Sequence, residues 1–145
     1  CENYWHSKSE EYIISNLMHI IFHWFHDYAF PKQGSRYQPL LEKLRGDIYA
    51  HPEYDWTLEM MAERINLSPR SLQKVYKNFA NVSCISEVIE SRMIRAKMLL
   101  LRSAFDVGEI SMQCGYRNVE HFCRQFKKHE GCSPSHYRKE HLVRP

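Results

Sequence analysis

The sequence has no apolar run approaching the ~18 residues that a membrane-spanning helix needs, so a membrane protein built on helical spans is excluded. It has no secretory leader pattern. It has five cysteines, an odd number, and no C-x-x-C pair. A disulfide framework is therefore not expected, and a reducing cytoplasm fits the composition. No segment alternates as a half-buried strand does, and none is of low complexity. No nucleophile, base and orienting group stand in a pattern that suggests nucleophilic catalysis. The chain begins at Cys1 without an initiator Met, as expected of a portion of a longer protein.

What the 145 residues do hold is enough chain for one or two small domains with a core. The net charge is only +3, too small by itself to imply a nucleic-acid partner. Its distribution is more telling. Residues 1–38 carry three Lys and Arg against four Asp and Glu, whereas residues 39–145 carry 17 against 13. The basic excess falls on two short helical segments.

The second of these lies in residues 107–139, VGEISMQCGYRNVEHFCRQFKKHEGCSPSHYRK. The pattern is a helix, a tight turn at Gly115, a second helix and a stop at Gly131. Arg117, Arg124, Lys127 and Lys128 are set against one acid, Glu120. A short basic helix held by a glycine turn against a shorter first helix is how a helix-turn-helix offers side chains to the DNA major groove.

A related pattern occurs about 50 residues upstream. Leu58, Ala62, Ile65, Asn66 and Leu67 match Val107, Ser111, Cys114, Gly115 and Tyr116 at an offset of 49. Leu72, Lys74, Tyr76, Lys77 and Ser83 match Phe122, Arg124, Phe126, Lys127 and Ser133 at an offset of 50, so one residue is added at the start of the second helix. Asn66 and Gly115 fall at the same turn, and Asn81 and Gly131 just past the second helices. Both residue types tolerate the left-handed conformation that such positions need.

The remaining punctuation is consistent with an all-α chain. Thr57 is expected to cap one short helix. Ser68-Pro69 and Ser133-Pro134 start two others, since Ser supplies an acceptor and Pro at the first helical position needs no donor. Asp106 and Glu109 can form a capping box. Residues 40–49 read as a helix with Leu41, Leu44 and Ile48 on one side. Residues 85–101 read as a long linking helix, with Ile85, Val88, Ile89, Ala96, Leu99 and Leu100 on one face. Its length of about 26–28 Å at ~1.5 Å per residue suits two recognition helices set near the ~34 Å repeat of DNA.

Upstream, residues 10–28 read as an amphipathic helix. Ile13, Leu17, Ile20, Trp24 and Tyr28 form one stripe, and Ile14, Met18, Ile21 and Phe25 lie beside it. The apolar face is too wide for a solitary solvated helix. His19 and His23 stand four apart, which alone is weak ground for a metal site. Residues 31–38 have the polarity and turn residues of a linker. The expected organisation is residues 1–30 as the end of a sensor or dimerisation region, the linker, and a DNA-binding domain over 39–145. Within that domain the first helix-turn-helix falls at about 57–80, the linking helix at about 84–102 and the second helix-turn-helix at about 107–130.

These residues resemble the DNA-binding domain of the AraC/XylS family of bacterial transcription regulators. The second half reads IxxxCGYxNxxHFxRQFKKxxGxSPxxYR and the first AERINLSPRSLQKVYKNFANVSC. The resemblance covers roughly residues 39–139. The sequence departs from the family at Asn81, usually Gly, at Cys84, often Pro or an aromatic, and at Ser111, usually Ala. The resemblance implies two helix-turn-helix units reading double-stranded promoter DNA near RNA polymerase, usually to activate. It also implies a small-molecule effector bound by an N-terminal domain mostly absent here. Residues 10–28 would then pack on that sensor or form a homodimer; the alternative is an intramolecular lid.

The candidate DNA-binding residues in the first unit are Arg70, Ser71, Gln73, Lys74 and Lys77. Positions 70, 74 and 77 share a face, with Leu72, Val75 and Phe79 opposite and Tyr76 between. Arg and Lys pair with guanine edges and Gln with adenine. In the second unit they are Arg117, Asn118, Glu120, His121, Arg124, Lys127 and Lys128. The resemblance places Glu120, His121 and Arg124 toward bases and the others toward phosphates. Glu120 can accept from cytosine N4, or can simply complement the helix dipole in a first turn. Phe122 and Phe126 read as core. The bland reading of both basic faces is solvation, which would leave a helical protein-interaction module. Cys114, His121, Cys123, His129 and Cys132 lack the close C-x2–4-C pairing of structural zinc sites, so neither metal nor other cofactor is expected.

Overall fold

The computed structural model describes Ile21 and residues 36–141. The helix expected over 10–28, Ile21 apart, and residues 31–35 of the expected linker lie outside the described residues. Over residues 36–141 seven helices follow one another: α1 (Gln38–Ala50), α2 (Leu58–Arg64), α3 (Pro69–Ala80), α4 (Cys84–Arg102), α5 (Val107–Gln113), α6 (Val119–Glu130) and α7 (Pro134–His141). No strand occurs among the described residues. α1 starts two residues before the expected Leu40, because Pro39 sits within its first turn, where a missing N–H costs nothing.

Local chemistry sets the helix limits. Thr57, Ser68 and Ser83 accept from the backbone N–H three residues on. Asp106 and Glu109 form a reciprocal capping box with both bonds at 2.8 Å. Asn118 caps α6 through a 2.9 Å bond from the His121 N–H. Asn66, Asn81, Gly115 and Gly131 all have positive φ, at 53°, 59°, 79° and 82°. The two turns are thus closed at the four positions the repeat singles out. The added residue is Arg117, and it lies in the second turn rather than in α6.

Each helix-turn-helix has its own core. Leu41, Leu44 and Ile48 of α1 pack with Met61, Ala62, Ile65, Leu72, Tyr76, Cys84 and Val88. Met93, Ala96 and Leu100 of α4 pack with Ile110, Cys114, Phe122, Phe126 and Tyr137. So α4 closes the first unit with its N-terminal half and opens the second with its C-terminal half. This division overturns the single apolar face expected for it. Ile85 is 39 % exposed, while Cys84, Glu87, Ser91 and Met93 are buried. Tyr76 likewise does not lie between faces; it is fully buried beneath α3.

Two equivalent positions of the repeat solve the same packing problem differently. In the first unit the buried Tyr76 donates its hydroxyl to the buried Glu87 carboxylate. Fifty residues on, Phe126 meets Tyr137 edge to face, with centroids 5.5 Å apart. Glu87 also binds Arg45 Nε at 2.6 Å and the Tyr49 hydroxyl at 3.4 Å. A buried carboxylate is tolerable only with such partners. Burial, and then the Glu87 charge, push the Tyr49 phenol up to about 12 and the Tyr76 phenol higher still.

Ser111 is fully buried where its first-unit counterpart is Ala62. Among the described residues its hydroxyl has no hydrogen-bond partner. An unmatched buried hydroxyl costs roughly 1–3 kcal/mol. Ser111→Ala should therefore raise stability by about 1 kcal/mol, read as a higher denaturation midpoint in urea. A lower midpoint would mean that the hydroxyl has a partner that matters.

Candidate nucleic-acid interface

The second helices of the two units, α3 and α6, are each 12 residues long and start 50 residues apart. Each buries one side and leaves the other to solvent. On α3, Leu72, Tyr76 and Ala80 are buried, and Arg70, Ser71, Gln73, Lys74 and Lys77 are exposed. On α6, Phe122 and Phe126 are buried, and Glu120, His121, Arg124, Lys127 and Lys128 are exposed. The offset superposes Lys74 on Arg124 and Lys77 on Lys127. It also superposes Arg70 on Glu120, so the first turns of the two helices present opposite charges.

The cations on these faces are held in reserve. Arg70, Lys74, Lys77, Arg124, Lys127 and Lys128 form no ion pair among the described residues. Elsewhere Arg45, Arg64, Arg95, Lys97 and Arg117 are each paired with an acid. Glu130, a second acid on α6, is bound to Lys97 of α4 at 3.0 Å and leaves the exposed face clear. Lys127, Lys128 and His129 also lie in the last turn, where positive charge favours the helix.

The other candidates have additional duties. The Ser71 hydroxyl accepts from Ser68 at 2.8 Å within the cap of α3. Asn118 spends its side-chain oxygen on the cap of α6 but keeps its amide N–H2. The His121 ring stands edge-on to Tyr116, centroids 5.6 Å apart. Arg117 is not part of α6. Its guanidinium meets Asp55, in the loop between α1 and α2, at 2.6 Å. With side chains 86 % and 69 % exposed, such a pair is worth under about 1 kcal/mol, so a phosphate can displace Asp55.

That α1–α2 loop ties the two units together, a role the sequence does not announce. Arg92 of α4 donates to the Pro52 and Tyr54 carbonyls at 3.0 and 2.8 Å, and its guanidinium lies 5.1 Å from the centre of the Tyr116 ring. Arg95 reaches Glu53 at 3.3 Å. Gly115 approaches so closely that a Cβ there would stand 2.8 Å from the Glu53 carbonyl oxygen. Glycine is thus required twice over at this turn, by φ and by space. At the other end, Arg138 donates to the Leu100 and Phe105 carbonyls at 3.0 and 2.6 Å, fixing α7 on the end of α4. Glu87, Arg92, Arg95 and Arg138 are the positioning residues that spacing alone does not reveal. Glu87 in particular reads as an ordinary first-turn acid.

None of the described thiols is activated as a nucleophile. The described cysteines are free. Burial pushes the Cys114 thiol up to about 12 and also raises Cys84 and Cys123, the opposite of what a thiolate nucleophile needs. No described helix is long and apolar enough to cross a membrane.

Comparison with known proteins agrees with this geometry. A family model described as a helix-turn-helix domain matches residues 61–140. An uncharacterised HTH-type transcriptional regulator of Escherichia coli K12, YdiP, is 37 % identical over 84 residues, which are 58 % of this chain and 28 % of YdiP. The chain spans about a third of the length of curated relatives it matches. The C-terminal domain of AraT, a response regulator from Geobacillus stearothermophilus, superposes with a TM-score of 0.70 at 34 % identity, covering 76 % of this chain and 92 % of that one. The DNA-binding domain of AdpA, a global transcriptional factor solved with a target DNA, shares the fold at 24 % identity and a TM-score of 0.66, over 69 % and 90 % of the two chains.

Proposed function

Because the chain belongs to the AraC/XylS-type helix-turn-helix family of DNA-binding transcription regulators, we propose that it reads two successive major-groove segments on one face of a promoter, with α3 in one and α6 in the other. The observation that carries this reading is the repeated register of cations that form no ion pair among the described residues, Lys74 with Arg124 and Lys77 with Lys127, on two exposed helix faces joined by the 19-residue α4. At ~1.5 Å per residue α4 is about 28 Å long, close to the ~34 Å of one DNA turn. The same fold holds a target DNA in AdpA.

Lys74 and Arg124, at the middle of each helix, serve base edges, where Arg and Lys favour guanine. Arg70, Ser71 and Gln73 complete the first reading face. Glu120 and His121 complete the second, with Glu120 suited to cytosine N4. Lys77, Lys127, Lys128, Arg117 and the Asn118 amide serve phosphates, which supply most of the affinity. In the whole protein the domain acts in the cytoplasm as an activator beside RNA polymerase. Residues 10–28 join it to a second copy or to an effector-binding domain.

Selection of bound sites from random duplex DNA, followed by titration at several salt concentrations, tests this. A helical protein-interaction module would select no site and bind no duplex. Lys127→Ala with Lys128→Ala should weaken specific and random duplexes alike and lower the slope of log K against log salt by about 0.9 per lost phosphate contact. An unchanged slope would remove both lysines from the interface.

A further inference from the structure

We infer that the start of α7 carries a surface site for a divalent transition metal, zinc by its donor set, formed by Cys132, His136 and Glu140. One donor atom of each residue lies within 4.8 Å of the other two. The spacing C-x3-H-x3-E puts all three on one side of a helix and its leading turn, because residues four apart stack on one face. Cys132 lies just before Ser133, which caps α7 by accepting from the His136 N–H at 3.3 Å. His136 Nδ1 already stands 3.3 Å from a Glu140 carboxylate oxygen.

The donor set selects the metal. A thiolate, an imidazole and a carboxylate suit zinc, at bond lengths of about 2.0–2.3 Å. Tetrahedral donors at those lengths stand roughly 3.3–3.8 Å apart, so the three groups close by small rotamer changes. Three protein donors leave the fourth position to water. On binding, the Cys132 S–H bond breaks, its proton leaves to buffer, and the metal–sulfur bond forms. His136 gives a ring-nitrogen lone pair to the metal in place of its contact with Glu140. No oxidation state changes.

The scaffold holds the donors without help from the metal. The opposite side of α7 is fixed by the buried Tyr137 ring and by the two carbonyl bonds of Arg138. Cys132 is partly buried against the second core, whereas His136 and Glu140 are exposed and open to an entering ion. Burial, and then the charges of Glu140 and Glu130, hold the Cys132 thiol above its ordinary value, so the metal must displace its proton, while the same two carboxylates draw a cation to the spot. The cysteines and histidines that stand out in the sequence are engaged otherwise. Cys114 is core, His121 lies on Tyr116, and His129 bridges Glu90 and Glu130. Only Cys132 of that group takes part, with partners from α7.

The test is titration of cobalt(II) chloride into the full chain carrying Cys1→Ser, so that the first thiol cannot compete, with a phosphine reductant present. One equivalent should bind and give a thiolate-to-cobalt charge-transfer band, which zinc chloride should abolish by displacement. Zinc should also raise the Tm. Cys132→Ser should remove the band and the Tm rise. His136→Ala and Glu140→Gln should each weaken binding at least about tenfold, since losing an outer-shell partner alone costs roughly 10–100-fold. Cys123→Ser should change nothing. Absence of the band, its persistence in Cys132→Ser, or indifference to both His136→Ala and Glu140→Gln would each overturn the site. Circular dichroism of the variants at these largely exposed positions should match the parent, separating lost ligands from lost fold.

Discussion

Glu87→Ala is expected to lower the stability of the domain by about 3–5 kcal/mol, the cost of breaking a buried ion pair from one side. The carboxylate is 3 % exposed and gathers three elements: Arg45 and Tyr49 of α1, Tyr76 of α3, and its own α4. Truncation leaves the Tyr76 hydroxyl buried without this acceptor and deprives the guanidinium of Arg45 of the carboxylate at 2.6 Å. It also opens a gap in the first core. Domains of this size have roughly 5–15 kcal/mol in total, so much of the margin disappears. The Tm should fall by roughly 12–40 °C, at about 4–8 °C per kcal/mol. Glu87→Gln keeps the shape and an acceptor for Tyr76 but loses the charge opposite Arg45, and should fall between. A Glu87→Ala variant within about 1 kcal/mol of the parent in urea unfolding would mean that the network contributes little. Because Tyr76 lies on the buried side of α3, the loss should also loosen the helix that presents Lys74.

Lys74→Ala and Arg124→Ala should each weaken binding to a selected site by about 1–3 kcal/mol, the worth of a good base contact, or roughly 5- to 150-fold. Each should relax base preference in one half of the site only. Both residues are exposed and form no ion pair among the described residues, so neither substitution should disturb the fold. The two effects should be nearly additive, since the residues lie on separate units. Retention of parental affinity and preference by both variants would show that the central positions of α3 and α6 do not touch bases. Lys77→Ala is the contrasting case: affinity should fall equally on all sequences.

The features legible in the sequence are the local ones. Caps and left-handed turn positions depend on a few neighbouring residues, so Thr57, Ser68, Asp106, Asn66, Asn81, Gly115 and Gly131 behave as their chemistry dictates. The helix-period pattern of Leu41, Leu44 and Ile48 is likewise sufficient. What escapes such reading is long-range. Nothing near Glu87 says that Arg45, 42 residues earlier, will neutralise it. Nothing near Arg117 points to Asp55, 62 residues earlier. Ile85 fails as a core residue because α4 serves two cores, and no single stripe satisfies both. The exposed basic register of α3 and α6 could be read from spacing, because exposure follows from which residues the other side buries. The ties that orient one unit on the other, through Arg92, Arg95 and Gly115, could not.

The central claim is that both helices engage one duplex simultaneously, on one face, with α4 and the α1–α2 loop holding their separation. The direct measurement is the affinity of the domain for a selected site into which five base pairs are inserted between the two halves. Such an insertion turns one half by roughly half of the ~10.5 base-pair helical repeat. The account predicts that affinity falls to that of a single half-site, and that ten inserted base pairs do not restore it, because α4 cannot lengthen. Undiminished affinity for the five-base-pair insertion would contradict simultaneous engagement of the two helices.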